Sequence, residues 1–292
     1  MISMAYRKGQ VAAATALFVM AIGATQGLRA SYVDAVEGAN PKNYWRLEEQ
    51  AGDAQDLGSN PVTGAYGTAV QRSAAGPRPA DGYRAFGLNN TAAGFDPAST
   101  SDPNSTVDMG NYAPVTGGNP RTILAWINLD VVAAAKNQAI TYYGAENSNE
   151  RFRFEVFGDE LSCDVNGSRL TGGDTTLEPG QWYFVGVVVP NIPTPAIEDV
   201  QLFVDGMQEM SQGPGTIVRS GNINTGSSAD FNVGRHPGKS FNVEGTVDEV
   251  VVFDRALSSS EILGLYNAAI PEPGTLGLFA AAALAALTRR RR

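Results

Sequence analysis

The stretch GTVDEVVVFDRALSSSEILGLYNAA, residues 245–269, decides the fold. Its first half, Gly245–Asp254, is crowded with β-branched residues and predicts a strand. Its second half predicts a helix. Ser258 followed three residues later by Glu261 is a capping box, and Ile262, Leu265 and Tyr266 share one helical face. Upstream, no other stretch reads as a helix, and strand-like segments follow one another: RTILAWINLD (Arg121–Asp130), RFRFEVFG (Arg151–Gly158), QWYFVGVVV (Gln181–Val189) and VQLFVDG (Val200–Gly206). Gly, Pro, Asn and Asp clusters separate them. Arg151–Phe157 alternates strictly, which predicts one wet face and one buried face. Asp205-Gly206 marks a tight hairpin, and Pro190–Asp199 reads as an elongated connection inside the same domain. Many strands closed by one short helix predict an all-β, antiparallel two-sheet sandwich.

Working outward, the two ends do not belong to this pattern. Arg7 and Lys8 precede an apolar run, Val11–Ala24, and Ala30 closes a plausible cleavage site, so residues 1–30 read as a secretory signal peptide. At the other end, PEPGTLGLFAAAALAALTRRRR holds fifteen residues, Gly274–Thr288, between Pro273 and Arg289. As a helix they reach about 22 Å, short of a hydrocarbon core of roughly 30 Å. Snorkelling arginines and local thinning leave a marginal span, which suits a temporary anchor. The arginines stay cytoplasmic, so the rest of the chain faces outward.

Between these ends, Ser31 to Ile270 form a core of 240 residues, enough to bury a sizeable interior as one domain. That core holds 29 Asp and Glu against 14 Lys and Arg, a formal charge of 14 − 29 = −15. Such a surface repels nucleic acid and anionic polymers. The single cysteine, Cys163, precludes an intramolecular disulfide, and in ELSCDVNG it alternates with Leu161 and Val165 on the inward face of a strand.

Little in the sequence points to catalysis. His236 is the sole histidine and lies in a Gly/Pro loop, GRHPGKSF, with no second histidine for zinc. No G-x-S-x-G elbow is present. A glycosidase needs two carboxylates across the scissile bond. Glu155, Asp159 and Glu160 do not form an alternating acidic strand, and adjacent Asp248 and Glu249 are expected on opposite faces. The chain is therefore read as non-enzymatic. Tyr112, Tyr142 and Tyr143 near loop boundaries can stack on sugars, but aromatics in such strands more often pack inward.

Several segments, in order, resemble the bacterial laminin-G-like jelly-roll family of the concanavalin A-like lectin/glucanase superfamily. Ser31–Asn60 is similar to that family's opening strand and acidic loop, and Thr106–Gly110, TILAWINLD, QWYFVGVVV and VQLFVDG follow in the expected order. Gly245–Ala269 is the most specific match, and the resemblance covers nearly all of residues 31–269. It implies a jelly roll. The tail is similar to the PEP-CTERM sorting signal, with Pro271, Glu272 and Pro273 as its triplet and Arg289, Arg290, Arg291 and Arg292 as its basic stop. That likeness implies processing by an exosortase-type sorting enzyme and residence at the cell envelope or in its extracellular polysaccharide. The superfamily likeness also implies, generically, a structural calcium ion. First and last strands lying side by side would bring Glu48 or Glu49 near Asp248, and two or three carboxylates with carbonyls would complete its shell. The alternative is that Arg46 or Arg255 pairs with these acids.

Overall fold

The computed structural model describes residues 31–95, 102–134, 136–210, 217–218, 220–227 and 230–270. The export segment, the sorting triplet, the apolar run and the four terminal arginines lie outside the described residues. In chain order the described residues form helix α1 (Tyr32–Gly38) and strands β1 (Asn43–Trp45), β2 (Ala65–Tyr66), β3 (Gln71–Ala75), β4 (Thr91–Phe95) and β5 (Val107–Asp108). The middle strands are β6 (Arg121–Leu129), β7 (Asn137–Gly144), β8 (Arg151–Phe157), β9 (Glu160–Asp164), β10 (Arg169–Thr171) and β11 (Trp182–Val189). Then come β12 (Gln201–Val204), β13 (Met207–Gln208), β14 (Ile217–Val218), β15 (Asn232–Val233), β16 (Gly245–Phe253) and helix α2 (Ser259–Ala269).

These strands build two antiparallel sheets. One runs β13-β12-β11-β6-β16-β4-β3, with β1 also pairing β16; the other runs β14-β10-β9-β8-β7-β15-β5-β2. Their facing sides enclose the main core, where Trp45, Ile127, Phe152, Phe154, Val187 and Phe231 meet. The outer side of the first sheet is also covered: α1, α2 and Phe86 pack onto Leu124, Trp126, Phe184 and Phe253. Being covered on both sides explains why β11 reads WYFVGVVV without alternation. Tyr183, Val185 and Val187 face the other sheet, whereas Trp182, Phe184 and Val188 face the helices.

The sequence reading of a single helix is corrected here. Residues 32–38, taken as part of an opening strand, form α1, and the first strand is the short β1 at Asn43–Trp45. Ser31 and Asp34 cap α1 reciprocally, at 3.2 and 2.8 Å, and Tyr32 and Val36 are its buried anchors. At the far end the Ser258–Glu261 capping box starts α2 as expected. Asp205 and Gly206 both adopt positive φ, 50° and 78°, and turn β12 back into β13. The connection Pro190–Asp199 joins β11 to β12 and ends in a 3₁₀ turn, Ile197–Asp199.

Candidate functional site

The last strand carries the acids that sequence singled out, and a bulge decides where they point. β6 pairs along one edge of β16, with the register shifting between Asp248 and Val251. On the other edge β4 pairs Gly245–Val247 and β1 pairs Val250–Val252, so Asp248 and Glu249 fall in the gap between two strands. Glu249 takes φ 53°, a left-handed backbone that extended chain does not use. The expectation of opposite faces is thereby overturned: Val247 and Val250 face the main core, and Glu249 joins Asp248 on the side under the helices. Both acids are fully buried. Asn90 donates to Asp248 at 2.8 Å, and Tyr44 hydroxyl and Arg46 donate to Glu249. Burial pushes both carboxyls up, Glu249 to about 7 and Asp248 well above its ordinary range, and the Glu249 charge raises Asp248 further.

The first and last strands do lie side by side, as the calcium expectation required. The three named ligands nevertheless have separate partners. Glu48 pairs with Arg46 at 2.6 Å, Glu49 accepts from Gln55 N and Tyr66 hydroxyl at 2.8 Å each, and Asp248 holds Asn90. Among the described residues no group of three or more His, Cys, Asp or Glu side chains gathers as a metal cradle. As placed, these residues do not fit a calcium ion. Arg46 bridges Glu48 and Glu249, and Arg255 instead pairs with Glu261 at 2.7 Å.

A second charged cluster occupies the outer side of the other sheet. The alternation in β8 is real, with Phe152, Phe154 and Val156 facing the core. The face expected to be wet is not: Arg151, Arg153 and Glu155 are buried. Arg153 pairs with Glu155 at 2.8 Å and Asp164 at 3.4 Å, Arg169 reaches both, and Arg151 pairs with Asp164 and Glu146. Phe241 lies over Arg153 and Phe157 over Arg169, so rings and ion pairs seal the layer. His236 completes it, stacked 4.2 Å from Tyr142, with Nδ1 2.9 Å from Arg153 and Nε2 3.1 Å from Glu146. Burial, and next the Arg153 charge, hold His236 down to about 3, so the ring is neutral at physiological pH. Tyr143 is core, Tyr112 is half-buried and donates to Asn43, and Cys163 is a free, fully buried thiol pushed up by burial.

Sequence reasoning passed over Arg121, although strand parity placed it inward with Ile123, Ala125 and Ile127. It is fully buried and donates five times: to Asn119 O, Val115 O and Gly117 O of the preceding loop, and to Tyr143 and Thr225 hydroxyls. Asp56 was likewise passed over within an acidic loop. Its carboxylate accepts from Asn43, Tyr44 N, Gly58 N and Val62 N at 2.6–2.8 Å, which pins that loop to β1.

No curated protein is similar to the chain in sequence. Among solved structures, the binding domain of Paraclostridial Mosquitocidal Protein 1 superposes with a TM-score of 0.54 at 15% identity, covering 78% of this chain and 52% of that one. The botulinum neurotoxin serotype G binding domain gives 0.52 at 14%, covering 78% and 50%. A botulinum neurotoxin type C structure, described as depending on two ganglioside molecules for cell entry, gives 0.51 at 13%, covering 79% and 51%. The chain spans about half the length of these structures, and at such identities the likeness is one of fold. A PEP-CTERM protein-sorting motif matches residues 269–292, which implies a cell-surface-exported protein processed by an exosortase. With a two-sheet antiparallel sandwich, a short closing helix and a family match over residues 100–263, the chain belongs to the concanavalin A-like lectin/glucanases superfamily.

Proposed function

We propose that this chain is an exported, non-enzymatic binding or structural module, with a jelly-roll domain at residues 31–269 between a signal peptide at 1–30 and a sorting and anchoring segment at 270–292. Its setting is the cell envelope or the extracellular matrix around it, and its business is carbohydrate or the exopolysaccharide. One observation carries the reading. The acids gathered on the sheets are already engaged: Glu155 and Asp164 are locked to arginines and Asp248 and Glu249 are fully buried, while Asp159, exposed, and Glu160, partly so, sit side by side at the β8–β9 turn. Glycoside hydrolysis asks for two carboxylates facing a substrate between them, one of them ionised and accessible. The sole histidine, neutral and buried between an arginine and a glutamate, is equally engaged.

A glycan array run beside a hydrolysis screen tests the proposal. Binding to one or more polysaccharides without product release is the expected outcome. Turnover of a β-glucan that disappears when one acid is substituted would establish instead a secreted glycan-active enzyme of the same fold.

A further inference from the structure

A cleft of about 420 Å³ opens between the loop 113–120 and the ends of β1 and β16. That is the size of a small-molecule site. One wall is electrostatic. Lys42 precedes β1 and Asp254 follows β16, and antiparallel pairing of Asn43 with Val252 brings the two near each other at one end of the pair. Their charged atoms stand 4.0 Å apart, too far for a hydrogen bond, and Asp254 is 64% exposed. Both keep bonding capacity for something in the cleft.

The other wall is a loop whose shape is fixed from below. Thr116 and Asn119 line the cleft between Pro114 and Pro120. Asn119 spends its amide N–H on Thr116 O at 2.8 Å, which leaves its side-chain oxygen to accept. Under the loop, Arg121 holds the carbonyls of Val115, Gly117 and Asn119, and Gly117 exchanges two backbone hydrogen bonds with Thr225 at 2.7 and 3.1 Å. Among the described residues no carboxylate pairs with this guanidinium. Burying such a charge is costly, and three of its five bonds serve only to set the conformation of one loop. A loop held in advance lowers the ordering cost of whatever binds to it.

We propose that this cleft is a saccharide subsite that takes an uncharged sugar unit through a vicinal diol. The inference rests on the carbohydrate reading above and gives it a place. The Asp254 carboxylate accepts from two adjacent hydroxyls, the Lys42 ammonium donates to their oxygens, and Asn119 and Thr116 meet the unit from the opposite wall. Uronates and sulfated sugars are disfavoured, because their anions would meet Asp254 on a core of net charge −15, from 14 basic and 29 acidic residues.

The test is isothermal titration of the folded protein with cellotriose, mannotriose, galactotriose and, as the anionic counterpart, trigalacturonate. The expected result is that a neutral trisaccharide binds and trigalacturonate does not. Asp254→Ala should weaken binding by about tenfold or more with an unchanged melting temperature, since the side chain is mostly exposed. Lys42→Met should weaken it in the same direction. Neutral-sugar binding that survives both substitutions would overturn the cleft while leaving the carbohydrate reading intact. Preference for trigalacturonate, or binding only of charged glycans, would overturn the neutral class. No binding to any glycan on the array would overturn both.

Discussion

Two acids of β16 are buried where keeping a charge is costly. Asp248 and Glu249 ionise near the ordinary carboxylate range of about 4 when unfolded, and burial raises both when folded. Between that range and about 7, the value for Glu249, the folded chain holds protons that the unfolded chain has released. Stability from the pair is therefore full at low pH and declines as pH rises through that window. Asp248→Asn supplies a permanently neutral group. Thermal melts from pH 4 to 8 should show the variant gaining on the wild type as pH rises, and a difference independent of pH would refute the burial argument. At the same scale, Arg46 pairs with Glu48, one of the acids expected to hold calcium beside Asp248, and also with Glu249. Melts with millimolar calcium and with chelator are accordingly expected to coincide. A real site would raise stability by about 2.7 kcal/mol at a hundredfold excess over Kd. The positions of both acids were unreadable in advance, because one extra residue in β16 flips a side chain and periodicity assumes none is added.

Elements with strong local signals were legible and those set by tertiary packing were not. The Asp205-Gly206 turn, the alternation of β8 and the Ser258–Glu261 cap all stand where their residues place them. Helix α1 was missed because seven residues show too little periodicity, although Ser31 and Asp34 form the same type of cap. The burial of the β8 arginines was missed because alternation gives polarity, not exposure; rings from Phe157 and Phe241 cover that face. The turn also supports α2. A Cβ on Gly206 would stand 3.0–3.1 Å from Leu263 and Tyr266, at a φ of 78°. Gly206→Ala should cost about 1–3 kcal/mol in chemical denaturation, from left-handed strain and crowding together. An unchanged midpoint would mean that hairpin and helix are not coupled.

On the scale of the whole molecule, the two-sheet architecture was legible because β6, β8, β11, β12 and β16 announce themselves through β-branched and aromatic runs, although the short strands do not. The location of a binding site was not, since a loop's shape depends on Arg121 and Thr225, 104 positions apart in sequence. Processing can be checked directly. Mass spectrometry of the exported protein should recover peptides up to the closing helix and none from Leu276–Arg292. Intact Arg-tailed protein as the dominant surface form would contradict removal. Finally, α1 begins at Tyr32, α2 ends at Ala269, and both helices pack in the one layer over the first sheet. The described residues therefore begin and end in one helical layer on the outer side of that sheet. Whatever is attached at either of these helices meets the body on the side of the first sheet, which leaves the second sheet on the far side of the core.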